Sequence, residues 1–315
     1  MANTRKNLGL VALGLLIGGI VIYAVAAQVR QHATLPDPVV ELRSNLVSLP
    51  LQLAGGRPTV DLRINGLGPY TFILDTGAEG TILSSSLAEE LNLPVLGNAN
   101  AGAPGGGTVP GKVVRIAKLE LGDLTLTDAM AVALDLSSMA KVFAGAGAPR
   151  GVLSTKNWRG MLISLNYPAA QIEIKRGELP SADNLKVFSF PGDDRIPSIA
   201  VRFAGTSVTL NLDTGAAHGF ILPSSFSAKL PLATQPVAVD PLRTLDGITA
   251  MTRARLQGNV SIGCFQVEKA DVNFAEGIPI GSFGYDVLRQ FKVTLDWKNH
   301  RVQFDQPGEP KACRS

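Results

Sequence analysis

The chain repeats itself, and the repeat governs what it can fold into. Pro58-Thr59-Val60-Asp61-Leu62-Arg63-Ile64-Asn65-Gly66 leads through a turn to Phe72-Ile73-Leu74-Asp75-Thr76-Gly77-Ala78. Later, Pro197-Ser198-Ile199-Ala200-Val201-Arg202-Phe203-Ala204-Gly205 leads to Leu210-Asn211-Leu212-Asp213-Thr214-Gly215-Ala216, through a turn one residue shorter. Downstream, Ile82-Leu83-Ser84-Ser85-Ser86-Leu87 matches Ile221-Leu222-Pro223-Ser224-Ser225-Phe226, each expected to open a short helix with a hydroxyl cap. The repeats also close alike, Trp158-Arg159 to Ile172-Glu173-Ile174 paralleling Leu288-Arg289 to Val302-Gln303-Phe304. Two copies are too few for a solenoid, so two similar units must abut. The join is expected near residues 177–184, where Gly, Pro, Ser and Asp cluster.

Strands build these units. The chain has 33 Gly and 20 Pro with only 6% aromatics, which favours short strands and tight turns over long helices. Alternation in Val113–Gly122 and Leu124–Asp128 predicts a hairpin with one buried face, and helices are confined to short stretches such as Ser85 to Leu91 and Tyr285 to Gln290. The formal charge of +3 is matched by Arg5, Lys6 and Arg30, the only charges in residues 1–33, so residues 34–315 are neutral. A neutral body excludes nucleic acid as partner, which demands a basic face.

Leu8 to Ala27 is a run of 20 uncharged, mostly apolar residues behind Arg5 and Lys6, long enough to cross a bilayer with its N-terminus held in the cytoplasm. It reads as a retained anchor or, given the small-x-small Ala24-Val25-Ala26, as a cleaved signal. Either places the body outside the cytoplasm: the periplasm in a Gram-negative cell, anchored to the inner membrane by 8–27. The expected layout is 1–33 signal or anchor, 34–180 first lobe, 181–308 second lobe and 309–315 tail. Cys264 and Cys313 would then sit where a disulfide can form, although spacing alone does not pair them.

Each repeat sets an Asp-Thr-Gly at the end of an apolar run. One such tripeptide means only a turn. Two, at equivalent points, bring Asp75 and Asp213 together across a pseudo-twofold interface, where like charges a few ångströms apart cannot both ionise. The ionised member then takes a proton from a shared water while the protonated one polarises a carbonyl and donates to the leaving amine. Gly77 and Gly215 let backbone approach the carboxylates, and Thr76 and Thr214 carry hydroxyls that hold the lobes in register.

The motifs Leu74-Asp75-Thr76-Gly77-Ala78 and Leu212-Asp213-Thr214-Gly215-Ala216 resemble those of aspartic peptidases, with alanine after glycine as in retroviral-type members. Phe283-Gly284-Tyr285-Asp286-Val287-Leu288 resembles the closing turn and helix of that fold. The resemblance implies an all-β chain of two similar retropepsin/pepsin-like closed-barrel lobes, related by pseudo-twofold symmetry within one monomer. It implies a polypeptide substrate, split proton sharing by the dyad as known for aspartic peptidases, and neither metal nor cofactor. It also implies a substrate-covering flap in Asn98 to Val114, its tip at Gly102-Ala103-Pro104-Gly105-Gly106-Gly107, binding through backbone for want of a tyrosine.

Three departures matter. Ser154 stands where the first lobe's closing turn expects glycine, the flap is featureless, and Ala78 and Ala216 lack a hydroxyl that bonds a catalytic carboxylate in pepsin-like members. Losing that donor raises the dyad's apparent pKa, so activity is expected near about pH 5 to 7 rather than in strong acid. Ser154 also leaves room for a non-catalytic peptide binder, and Thr34 to Asn45 for the propeptide of a self-processing zymogen.

The remaining features carry less. Gly106 to Lys112 mimics a phosphate loop, but Val113 replaces its required hydroxyl and no strand-to-helix context surrounds it. His32, His218 and His300 are scattered, with His218 read as a surface-loop residue rather than a contact near the cleft. Trp158, Tyr167 and Trp297 are expected in the core, and Asp286 at a helix N-terminus.

Overall fold

The computed structural model describes residues 38–102, 108–137, 148–156, 158, 160–192, 196–243 and 248–308. They form three sheets. The first, of nine strands, holds the first repeat, the second, also of nine, holds the second repeat, and a six-stranded sheet joins them.

The repeat is reproduced in the pairing. Leu67–Asp75 lies parallel to Gly151–Ser154, with Asp75 opposite Ser154; Gly151–Ser154 is antiparallel to Thr81–Ser84, which is parallel to Leu124–Leu134. In the second sheet Thr206–Leu212 lies parallel to Gly281–Phe283, which is antiparallel to Phe220–Pro223, itself parallel to Asp271–Ala275. Strands paired in parallel are covered on both faces and leave no water-facing surface. That is why Phe72, Leu74, Leu210 and Leu212 are fully buried rather than alternating. At about 2 kcal/mol or more per buried large apolar side chain, such strands firmly anchor the turns at their ends.

The central sheet is made by both halves. Its innermost strands, Met161–Asn166 and Lys292–Asp296, are the closing strands of the two repeats and pair antiparallel. Ser164 faces Thr294 there, their hydroxyls 2.8 Å apart. Gln171–Arg176 and Leu46–Pro50 flank on one side, Arg301–Asp305 and Val187–Ser189 on the other. The stretch between the halves is held down: Leu179 N donates to the buried carboxylate of Asp296 at 2.9 Å, and Arg301 donates to Leu179 O at 2.7 Å.

Several expectations are refined. Barrel closure is not general to the two sheets. In the first, Leu124–Leu134 pairs with both Thr81–Ser84 and Thr108–Leu121, whereas the second has no such closing pair among the described residues. The helix Ser85–Glu90 is capped by Ser84, whose hydroxyl accepts from Leu87 N at 3.2 Å. Its counterpart Ser224–Phe226 is a 3-10 turn without a side-chain cap, because Pro223 stands where Ser84 stands. The expected hairpin runs Thr108–Leu121 into Leu124–Leu134, which also removes the phosphate-loop mimic, since Thr108 to Lys112 is strand. Of the segment Thr34 to Asn45, Val39–Leu42 is a strand paired with Leu124 to Thr127.

Trp158, Tyr167 and Trp297 are buried as expected. Among the described residues no helix is long and apolar enough to cross a membrane; the run 8–27 lies outside them.

Candidate active site

The two Asp-Thr-Gly turns meet where the motif strands end. Asp75 is the last residue of Leu67–Asp75, and Asp213 comes directly after Thr206–Leu212. Both carboxyls are buried, 1% and 2% exposed, and they converge on one point: a Cβ on Gly77 would stand 3.1 Å from Asp75 Oδ1 and 2.9 Å from Asp213 Oδ1.

The threonines fix this meeting. Thr76 Oγ1 donates to Leu212 O at 2.8 Å and accepts from Thr214 N at 3.1 Å. Thr214 Oγ1 donates to Leu74 O at 2.8 Å and accepts from Thr76 N at 3.0 Å. Each hydroxyl thus uses donor and acceptor on the opposite half, and four buried bonds set the separation of the strands bearing the aspartates.

The glycines act crosswise. A Cβ at Gly215 would stand 2.4 Å from Asp75 Oδ2, and one at Gly77 2.9 Å from Asp213 Oδ1. Each turn makes room for the other half's carboxyl. Gly77 N also donates to Asp75 Oδ1 at 2.6 Å, whereas Asp213 Oδ1 is buried with no hydrogen-bond partner among the described residues.

Burial dominates the electrostatics. It pushes Asp75 up to about 6, against the pull of hydrogen bonds from Gly77 and Gly215, the Asp213 carboxyl and the Arg57 cation. Asp213 is held well above the ordinary carboxylate range, again chiefly by burial and then by the charge of Asp75, with Arg57 opposing. Desolvation of both carboxyls acts in the same direction as the missing hydroxyl expected from Ala78 and Ala216.

Ser154, the departure in the first closing turn, fits. It is fully buried, and its Oγ donates to Ala78 O at 2.7 Å. At the equivalent place in the second half, a Cβ on Gly284 would stand 2.3 Å from Ala216 O. The first turn is thus spaced to take a hydroxyl where the second is closed onto glycine, and Ser154 no longer favours a non-catalytic binder.

The segment expected to form the flap contains two paired strands, Val95–Gly102 and Thr108–Leu121, with Gly102 opposite Thr108. Ala99, Ala101 and Val113 pack with Ile73, Ala78 and Ile82 on the first half. Gly105, Gly106 and Gly107 lie outside the described residues.

His218 corrects an expectation. It is not a free surface residue but partly buried, pushed down to about 4 by burial first and then by Arg57 and Arg253, with Asp286 opposing. Two side chains near the dyad escape sequence reasoning. Tyr167, read only as core, lies close enough for both aspartates to raise its phenol further after burial has done so, and it meets Tyr285 edge-on at 5.9 Å. Arg57 donates from Nε to Gly215 O at 2.8 Å. The signal for Arg57 was in the repeat itself, which aligns it with Ile196.

Residues 60–154 match the family described as aspartyl protease, a span that takes in Asp75, Thr76 and Gly77. Among solved structures, the chain is similar to the crystal structure of aspartic proteinase from Irpex lacteus, with TM-score 0.52 and 14% identity over 86% of this chain and 100% of that one. At that identity the likeness speaks for the fold, which is pepsin-like and mostly β. No curated protein sequence matches the chain.

Proposed function

We propose that the chain is an extracytoplasmic aspartic endopeptidase in which Asp75 and Asp213 activate a water against a peptide carbonyl. The observation that carries this is the pair of buried, converging carboxyls held by reciprocal threonine bonds. One carboxyl is ionised and takes a proton from the water as its oxygen bonds to the carbonyl carbon. The other donates its proton to the carbonyl oxygen. The tetrahedral diol then breaks its C–N bond: the dyad gives the leaving amine the proton taken from the water and takes back a proton from a diol hydroxyl as the C=O re-forms, so the pair ends as it began. Because both halves reside in one chain, a monomer suffices.

The location outside the cytoplasm is supported by the apolar run 8–27 behind Arg5 and Lys6. It is further supported by Cys264, which is disulfide-bonded, a state that fits an oxidising compartment; Cys313, the other cysteine, lies outside the described residues. Tethering raises the local concentration of other exported or membrane proteins, which we take as the substrate class. Asp75→Asn and Asp213→Asn proteins are expected to lose cleavage that wild type performs. Equal processing by all three, or by none, overturns the reading. Mass spectrometry of the mature N-terminus decides between anchor, signal and propeptide.

A further inference from the structure

Arg57 takes no part in the proton transfers at the dyad, yet it is built into the site. It opens the strand Arg57–Ile64, in a hairpin whose other strand is Gln52–Ala54. The tip of that hairpin reaches the second half: a Cβ on Gly56 would stand 3.1 Å from the Tyr285 ring and 3.3 Å from Ala217 Cβ. From there Arg57 Nε donates to Gly215 O at 2.8 Å and Nη1 donates to Gly55 O at 3.1 Å. One planar, forked group is tied at once to its own hairpin and to the glycine of the opposite turn. That glycine has no slack, since its Cα side faces Asp75 so closely that a methyl would collide.

The second half lacks the counterpart. The repeat puts Ile196 where Arg57 stands, and Ile196 is 4% exposed, packed with Ile73, Ala78 and Ile82. An apolar anchor holds one side of the pseudo-twofold axis, and a cation holds the other.

We propose that Arg57 is a positioning residue of the dyad, which holds the Gly215 peptide against Asp75 and supplies the positive charge that keeps one carboxyl ionised at the working pH. The proposal rests on the peptidase reading for its consequence in catalysis, but the contacts stand without it. Burial raises both carboxyls, and Arg57 opposes that rise at each. Its own guanidinium is lowered by desolvation, against the pull of Asp213 and Asp75, and arginine keeps its charge throughout the accessible pH range.

Of the other charged or titratable groups around it, Arg253 acts on His218 but on neither aspartate. His218, beside Asp286 and Arg253, is pushed down to about 4 and is neutral above that. Tyr167, against Tyr285, is pushed up by burial and by Asp213 and stays neutral. Among the described residues, Arg57 is the cation that acts on both aspartates.

The test compares wild type with Arg57→Met, Arg57→Lys and, as a control on the same strand, Arg63→Met, whose exposed side chain bonds the Gly66 and Gly68 carbonyls. Cleavage of casein, an extended polypeptide, is measured as kcat and KM across pH, and thermal unfolding is followed across the same range. In Arg57→Met the acidic limb of kcat is expected to move up by about one pH unit, the usual effect of deleting a nearby opposite charge. Arg57→Lys keeps the limb near its wild-type place but lowers kcat, since one ammonium replaces a fork, and Arg63→Met superposes on wild type.

A limb in Arg57→Met that stays where wild type has it overturns the proposal. If wild type cleaves nothing, the peptidase reading fails; the pH dependence of unfolding then still decides, an upward shift of the dyad's titration in Arg57→Met supporting the proposal and coincidence with wild type overturning it. Should Arg57→Met not fold, Arg57→Gln takes its place with the same outcomes.

Discussion

At the scale of single residues, the burial of Asp75 and Asp213 is what gives the site its chemistry and its cost. A carboxyl whose folded pKa lies above its unfolded value binds protons on folding. Its stabilisation is complete below the unfolded value and is lost as pH rises through the folded one. For Asp75 that window runs from 3.8 to about 6, on the order of 3 kcal/mol for the shift alone. The fold is therefore expected to lose stability across that window, and Asp213→Asn to unfold a few degrees higher than wild type at pH 7 but not at pH 4. Calorimetry at both pH values checks this, and a midpoint lowered equally at each refutes it.

The geometry around the pair is as narrow. Gly215→Ala puts a methyl 2.4 Å from Asp75 Oδ2 and is expected to abolish activity in a protein that still folds, which peptidase assay and circular dichroism together decide. Thr76→Val leaves Leu212 O and Thr214 N, both buried, without their partner. A loss of about 1–3 kcal/mol is expected, measured by denaturant unfolding. The Asp-Thr-Gly residues were legible because two identical tripeptides at equivalent points of a repeat carry meaning that one does not. Arg57 and His218 were not. A lone arginine at a strand start or a lone histidine in a loop acquires its role only when folding brings distant positions together, as it brings Arg57 to Gly215 and to His218.

At the scale of elements, the two closing turns have diverged in a way that makes opposite substitutions unequal. Ser154→Gly removes the buried hydrogen bond to Ala78 O and the one accepted from Lys156 N, and is expected to cost about 1–2 kcal/mol. Gly284→Ser places its Cβ 2.3 Å from Ala216 O, so the turn must open, and the loss is expected to be several-fold larger. Paired denaturant unfolding of the two variants tests the order, and reversal of it refutes the account. Strands and hairpins were legible from alternation, as in Val113 to Leu126. The equivalence of the helices was overread, because one proline at 223 suffices to remove the cap that Ser84 provides.

At the scale of the whole molecule, neither half is complete. Met161–Asn166 and Lys292–Asp296 are each other's neighbours in the central sheet, and Ile163, Leu165, Val293 and Leu295 are buried by that pairing and its surroundings. Residues 38–180 alone expose a long unpaired edge strand. Such a fragment is expected to be inactive and to self-associate or aggregate; size-exclusion chromatography yielding a stable, folded monomer would contradict this.

The sequence by itself determined the duplication, the strand-rich composition, the pair of aspartates and the residue types that serve them, because repetition and period are local properties of a string. Only the tertiary structure decided how strongly the carboxyls are desolvated, that Ser154 has a bond waiting for it, and that a cation on one half and an isoleucine on the other flank the same pair. Those depend on distances between residues far apart in the chain, and such distances are set by the packing of two halves against each other rather than by either half alone.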